Sequence, residues 1–210
     1  MYALRGWLPP FHQSEVASLC KAVATEYPFK QVLEIGIVFG QAFEVLTKVL
    51  PDVKFVGVSN DAATILRLRR FFHTRLNAEL VKEELDNLKN YADGSFDVSY
   101  SCGVLSLCDR NEAAAILKEL RRVTSGNIFL LELQALGEYD SEMVFYAPQA
   151  FTNLWVRDYV KLAAEVLGHK GKNVNYSRVE RPQWEGAFWR NYGSIVTIRC
   201  DGEPYSNVVL

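Results

Sequence analysis

Apolar residues recur along this chain in two periods, one typical of buried strands and one typical of helices that pack against strands. Short, mostly apolar runs occur at 32–35, 54–58, 78–82, 96–101 and 128–133. Such runs are expected for parallel strands that are covered on both faces. Between them, apolar residues return every three or four positions, which predicts amphipathic helices.

Five apolar stripes have helical spacing, and residue types typical of helix ends flank some of them. The stripes are Val16–Val23, Phe39–Leu50, Ile65–Leu76, Ile116–Val123 and Trp155–Val166. Asp109 and Glu112 have the spacing of a capping box at the start of the fourth helix, and Gly126 is expected to close it. Two β-rich stretches, 172–181 and 187–200, follow the last helix and predict an antiparallel pair.

The alternation of strands and helices predicts an α/β fold, a doubly wound and mostly parallel seven-stranded sheet with a C-terminal antiparallel β pair. With 210 residues, of which 49% are hydrophobic, the chain is expected to form one domain. Residues 1–30 would form an N-terminal cap and helix, 31–135 the core of the sheet, and 136–210 the late helix and β pair.

Composition excludes several classes of function. A net charge of −2 supplies no basic field for an extended nucleic-acid footprint. No apolar run approaches the roughly 20 residues that a membrane span requires, and no secretory signal precedes the first helix, so we expect a cytoplasmic protein. The four cysteines form no C-x-x-C pair, so neither a metal site nor a disulfide framework is predicted.

A strand, an acid and two glycines follow one another at 32–40. Gly36 and Gly40 remove side chains where the backbone must turn into a helix and where a ligand can come close. A dinucleotide site would prefer the pattern G-x-G-x-x-G, but its second and third positions hold Val38 and Gln41. The alternative is a turn in which the glycines serve packing alone.

Three segments carry a resemblance to a known family. Glu34-x-Gly36-x-x-x-Gly40 resembles the E-x-G-x-G-x-G motif of Rossmann-like (class I) S-adenosylmethionine-dependent methyltransferases, with Val38 in place of the middle glycine. The segment 93–98 resembles the D-G-S-F-D-x-V that leads into their fourth strand. The segment 117–127 resembles their L-x-E-x-x-R-V-L-x-P-G-G, without the proline and the second glycine.

The resemblance implies that S-adenosylmethionine lies across the carboxyl ends of the strands, within 31–135. Gly36 and Gly40 would let the backbone approach its methionine half. Glu34 would hold its amino end through an ordered water or through the loop. The alternative for Glu34 is a buried carboxylate that backbone N–H groups satisfy.

The ribose contact departs from the family pattern. The family usually has an acid at the end of the second strand, since a carboxylate can accept both ribose hydroxyls. Here Ser59 occupies that place, and Asn60 and Asp61 follow as possible substitutes. For Asp61 we favour the alternative, that its side chain caps the helix starting near Ala62.

The adenine contacts are predicted beyond the third and fourth strands. Glu84 stands where the family has an acid that meets the adenine amino group, and Leu85 would form an apolar wall. Alternatively, Glu83 and Glu84 form a solvated pair on a loop. Ser101 and Cys102 would contact the cofactor through backbone groups.

Methyl transfer from a sulfonium is an in-line displacement, so the protein mainly aligns the reactants and excludes water. A base would assist a hydroxyl acceptor. Glu132, an acid in an apolar strand, is the first candidate, and a satisfied structural acid is its alternative. Asp109 and the three histidines at 12, 73 and 169 are further candidates.

We therefore expect metal-free methyl transfer to an oxygen or nitrogen of a small molecule. No D-P-P-Y-like sequence follows the fourth strand, which disfavours a nucleobase amine as acceptor. Two alternatives stay open: a catalytically inactive binding scaffold with the same fold, and methylation of a macromolecule such as RNA or protein.

Overall fold

Strands and helices alternate through the part of the chain that the computed structural model describes, residues 13–135, 143–147, 152–168, 174–177 and 192–200. The helices are α1 Gln13–Thr25, α2 Gln41–Val49, α3 Ala62–Phe71, α4 Arg110–Val123 and α5 Tyr159–Leu167, with a short 3-10 helix at Leu105–Leu107. The strands are β1 Gln31–Ile35, β2 Lys54–Ser59, β3 Ala78–Lys82, β4 Phe96–Cys102, β5 Thr124–Leu133, β6 Met143–Ala147, β7 Thr152–Val156, β8 Val174–Ser177 and β9 Gly193–Arg199.

Seven strands form one sheet in the order β3-β2-β1-β4-β5-β9-β8. The first five are mutually parallel, whereas β9 is antiparallel to both of its neighbours. The chain builds outward from β1 to β3 and then returns to place β4 on the other side of β1. Ligands of such sheets bind outside the carboxyl ends at this reversal point. The predicted fold class and its antiparallel C-terminal pair are confirmed.

The apolar stripes pack into two cores, one on each face of the sheet. Leu19, Phe43 and Leu68 bring α1, α2 and α3 onto one face. Leu117 and Tyr159 bring α4 and α5 onto the other. Covering both faces explains why the strands are apolar along their whole length.

Two expected helix boundaries are wrong. The apolar stripe Ile65–Leu76 predicts a helix that reaches Leu76, but α3 ends at Phe71 and Leu76 is fully exposed. Gly126 does not close α4 but lies inside β5, which begins directly after the helix. A Cβ at Gly126 would lie 2.4 Å from the Asp97 carbonyl oxygen, so close approach of the strands requires glycine there. The capping box at Asp109 is confirmed.

The late helix also begins later than its stripe predicts. Trp155 lies in β7, and α5 starts at Tyr159. Asp158 caps this helix by accepting a hydrogen bond from the Lys161 N–H at 3.0 Å. The four-residue spacing between Trp155 and Tyr159 matches a helix but spans a strand-to-helix junction. The β6–β7 hairpin, which forms a separate two-stranded sheet, was not predicted.

Charged residues of the second and third motifs tie loops to the sheet. Asp97 accepts hydrogen bonds from the N–H groups of Lys30 and Gln31, at 2.7 and 2.9 Å, and so fixes the entry to β1. Arg122 pairs with Asp93 at 2.9 Å and with Glu119 at 2.8 Å. These two motifs therefore hold the scaffold that carries the first.

Candidate cofactor site

The predicted site residues meet along one edge of the sheet. Pairing places Ile35, the last residue of β1, beside Val58 and Ser101, and places Ser59 beside Lys82. Since neighbouring strands lie about 4.8 Å apart, the edge from β3 to β4 is about 14 Å long. We call this edge the rim.

Two surface grooves, of about 660 and 330 Å³, lie at the opposite edge of the sheet. Thr124, at the start of β5, lines the larger groove, and Lys54, at the start of β2, lines the smaller. Neither groove reaches the rim, so groove size does not mark the predicted site.

The glycine turn has the backbone conformation that its sequence predicts. Gly36 and Gly40 both have a φ of 69°, in the left-handed region that side chains disfavour. A Cβ at Gly36 would lie 2.3 Å from a methyl carbon of Val104, which follows β4. The Ile37 N–H donates to the Val58 carbonyl at 2.8 Å, which anchors the turn to β2.

Val38, at the position of the missing middle glycine, is half-buried, and its carbonyl oxygen accepts a hydrogen bond from the Arg67 guanidinium. Arg67 belongs to α3. A sequence pattern does not show that one arginine reaches back to a loop 29 residues away.

Glu34 lies beneath the turn with only 3% of its surface exposed. Its carboxylate accepts a hydrogen bond from the Tyr100 hydroxyl at 2.6 Å and another from the Phe43 N–H. Burial raises the pKa of Glu34 to about 7, although both hydrogen bonds oppose that rise. Because Phe43 lies in the first turn of α2, the carboxylate supplies the cap that Gly40 lacks.

The three residues after β2 have different surroundings. Asp61 caps α3, accepting from the N–H groups of Ala63 and Thr64 at 3.2 and 2.9 Å. Hydrogen bonds from the Thr64 side chain and backbone lower the pKa of Asp61. Ser59 is buried, with its hydroxyl oxygen 3.3 Å from the Asp61 N–H, whereas Asn60 is exposed. The Ser59 hydroxyl proton, the Asn60 amide and the outer lone pairs of the exposed Asp61 carboxylate are left for a ribose.

The loop after β3 separates its two acids. Glu83 is buried and accepts from the Asn90 amide at 2.8 and 3.0 Å, so the alternative of a solvated pair is wrong for this residue. Glu84 is exposed at the rim. Leu85 is buried in the α4-side core, where it can form one wall of a pocket.

Ser101 and Cys102 end β4 on the rim. The Ser101 hydroxyl donates to Glu132 at 2.8 Å. Burial raises the pKa of the Cys102 thiol, and the nearby carboxylates of Glu34 and Glu132 add to the rise. The thiol is therefore a weak nucleophile, and the cofactor contact through backbone groups stays a prediction.

Glu132 is completely buried and is surrounded by donors. Its carboxylate accepts from the Ser101 and Ser106 hydroxyls, both at 2.8 Å, and from the N–H groups of Leu105 and Ser106, at 3.2 and 3.0 Å. Burial raises its pKa, and these hydrogen bonds oppose the rise. The geometry favours the structural alternative, so a role of Glu132 as a base stays a prediction.

The other base candidates gain little from the structure. Asp109 is the cap of α4. His73 is exposed, with its Nδ1 atom 2.8 Å from the Arg70 carbonyl oxygen. His12 and His169, like the predicted N-terminal cap, lie outside the described residues.

Within the described ranges, no group of three or more histidine, cysteine, aspartate or glutamate side chains is arranged to hold a metal ion. In the same ranges, no helix is both long and apolar enough to cross a membrane.

Comparison with known proteins agrees with the geometry. Residues 32–127 match a family described as "Methyltransferase domain". No curated protein matches the sequence.

Many solved structures share the fold. An N-methyltransferase, NodS from Bradyrhizobium japonicum WM9, solved with S-adenosylhomocysteine, has a TM-score of 0.65 at 14% identity, over 90% of this chain and 87% of that one. The 1,6-didemethyltoxoflavin-N1-methyltransferase of Burkholderia thailandensis has a TM-score of 0.62 at 16% identity, over 89% and 76%. The N-terminal domain of EvdMO1, crystallised with S-adenosylhomocysteine and D-fucose, has a TM-score of 0.63 at 21% identity, over 90% and 83%.

The reversal point, the left-handed glycine turn and the rim belong to an α/β domain with the class I, Rossmann-like methyltransferase fold. Residues 32–127, a little under half of the chain, match the methyltransferase domain family, which indicates an enzyme with S-adenosylmethionine as its cofactor.

Proposed function

We propose that this protein transfers the methyl group of S-adenosylmethionine to an oxygen or nitrogen atom of a small molecule. The observation that carries the proposal is the glycine turn at the reversal point, where Gly36 and Gly40 both take the left-handed backbone conformation. Two of the fold neighbours are methyltransferases of small molecules or nitrogen atoms by name. The small net charge of −2 favours the same kind of acceptor.

S-adenosylmethionine supplies an electrophilic methyl group on a sulfonium. The chain contributes alignment and exclusion of water. We propose that Gly36 and Gly40 admit the methionine half, and that Glu34 supports this half through the turn and through α2. Ser59 and Asn60 would bind the ribose with a hydroxyl and an amide in place of a carboxylate.

The adenine would lie between the loop after β3 and the loop after β4. Glu84 has an exposed carboxylate for the adenine amino group, and Leu85 offers an apolar wall. Ser101 and Cys102 would contribute backbone groups. No step of this scheme requires a metal ion or a strong base, since the sulfonium already activates the methyl group.

Calorimetry with S-adenosylmethionine and S-adenosylhomocysteine tests the proposal. We expect both to bind with micromolar dissociation constants. Absence of binding of either at high micromolar concentration would refute methyl transfer. Production of S-adenosylhomocysteine in the presence of small-molecule fractions, but not with RNA or protein fractions, would establish the acceptor class.

A binding scaffold without catalysis is the second candidate, because Val38 and Ser59 depart from the family motifs at two cofactor contacts. The double variant Val38→Gly, Ser59→Asp restores both motif residues. If the scaffold alternative is correct, the wild type binds neither nucleoside and the double variant gains binding. Equal binding by both proteins would show that the departures are tolerated.

A further inference from the structure

The carboxylate of Glu15, in the first turn of α1, is buried without a full set of partners. The residue has 0% of its surface exposed. Its Oε2 atom accepts from the Ser14 hydroxyl at 3.0 Å, and no donor among the described residues reaches its Oε1 atom. A favourable helix dipole explains an acid in a first turn, but not its burial. A buried carboxylate oxygen without a donor is costly and points to a partner other than the described residues.

The face of α1 that carries Glu15 can be identified from its spacing. Glu15, Leu19 and Ala22 are four and three residues apart and lie in one row along α1, and Glu26, one residue past the end of the helix, continues that row. The Glu26 carboxylate accepts from the Asn127 amide of β5 at 2.6 Å. This row therefore faces β5 and not the glycine turn.

The distance along that row places Glu15 at the rim. Glu26 lies eleven positions after Glu15 and one past the end of α1, so the rise between them is about 16 Å. The same distance along β5 from Asn127 is about five residues, since a strand rises about 3.3 Å per residue, and ends at Glu132. Glu15 thus lies level with the carboxyl end of β5.

A contact on the opposite side of α1 independently gives the same position for Glu15 along the strand direction. The Cys20 thiol lies 3.8 Å from the carbonyl oxygen of Ala42, at the start of α2, directly after the glycine turn. Glu15 precedes Cys20 by five residues and so lies about 7.5 Å farther out along the helix. Both estimates place the Glu15 carboxylate at the rim.

We propose that Glu15 binds an amine group of the methyl acceptor, at the end of β5. The inference rests on the proposed function and narrows its acceptor from oxygen or nitrogen to a basic nitrogen. A cation with N–H donors is the partner that best compensates a buried carboxylate, because it supplies both charge and hydrogen bonds.

The carboxylate also has a place in the reaction. A protonated amine has no lone pair for attack, so it first passes one proton to the Glu15 carboxylate. The freed lone pair then forms the new N–CH₃ bond while the S–CH₃ bond breaks and leaves its electron pair on sulfur. The product nitrogen carries the positive charge that the sulfonium has lost.

Sinefungin provides a probe that does not require the acceptor to be known. It is an analogue of the cofactor that carries an amine where the sulfonium carries its methyl group, so its ammonium reaches toward the acceptor. Calorimetry would give the dissociation constants of sinefungin and of S-adenosylhomocysteine for the wild type and for Glu15→Gln. The matched control is Glu26→Gln, which makes the same change one residue past the end of α1, at the far edge of the sheet.

We expect the wild type and Glu26→Gln to prefer sinefungin over S-adenosylhomocysteine by roughly tenfold, as for one charged hydrogen bond. Glu15→Gln should lose this preference and bind S-adenosylhomocysteine within twofold of the wild type, which also shows that it is folded. An unchanged preference, or equal weakening of both ligands, would overturn the inference. If the wild type binds neither ligand, the proposed function itself fails and this inference fails with it.

Discussion

Replacement of Glu34 by glutamine is expected to change how the stability of the protein depends on pH. Glu34 is buried beneath the glycine turn, where loss of water is the largest cause that raises its pKa from 4.5 to about 7. The folded protein therefore binds this proton more tightly than the unfolded chain does. Stability from this group is fully present below pH 4.5 and is lost as the pH rises to about 7.

The magnitude follows from the size of the pKa change. One pKa unit is worth about 1.4 kcal/mol, so the whole loss is about 3 kcal/mol, of which about 2–3 kcal/mol falls between pH 5 and 8. Glutamine has no proton to lose in this range and keeps an oxygen that can accept from the Tyr100 hydroxyl. Relative to the wild type, Glu34→Gln should thus gain about 2–3 kcal/mol of stability from pH 5 to pH 8.

Urea unfolding of both proteins at pH 5, 6, 7 and 8 measures this difference, because titrations common to both cancel. Tyr100→Phe gives a second check. It removes a hydrogen bond that favours the charged carboxylate, so the stability loss should move to higher pH. Parallel stability curves for wild type and Glu34→Gln would refute the burial of an ionisable Glu34 as the cause.

Three further variants test the rim. Gly36→Ala forces a side chain into a left-handed backbone and onto Val104, so urea unfolding should show a loss of about 2–4 kcal/mol; full stability would contradict that contact. Asp61→Ala should cost about 1 kcal/mol of stability through the lost cap and leave S-adenosylhomocysteine affinity within twofold by calorimetry, whereas a tenfold loss of affinity would assign Asp61 to the ribose. Glu132→Gln sets an NH₂ group against the Ser106 donors and should cost about 2–3 kcal/mol, with little change in S-adenosylhomocysteine affinity; normal stability with lost turnover would instead make Glu132 the base.

Local sequence patterns predicted the helices and strands well where the same contacts determine both the pattern and the packing. Apolar runs marked the strands because both faces of the sheet are covered, and the Asp109 capping box marked the start of α4 because its contacts are local. The same reasoning failed at Trp155, where a helical spacing crosses a junction between strand and helix. It failed at Gly126 because the contact that requires glycine comes from the neighbouring strand.

The residues of the candidate site also fall into those that the sequence identifies and those whose roles only the structure shows. Gly36 and Gly40 could be identified from the sequence because a turn between strand and helix has few chemical solutions. The partners of Glu34 could not, since Tyr100 reaches it from a strand 66 residues farther along. Likewise, the choice between catalytic and structural roles for Glu132 depended on donors from β4 and from the loop that follows it.

The sequence alone determined the class of this protein, because strand periodicity, the glycine turn and the two later motifs are all local in the chain. Only the tertiary structure decided what the acidic side chains do. Asp61 became a cap, Glu34 a buried support of the turn, and Glu15 a buried carboxylate with one oxygen that no described donor reaches. The physical reason is that burial and hydrogen bonding set the energy of a carboxylate, and both come from residues that only folding brings together.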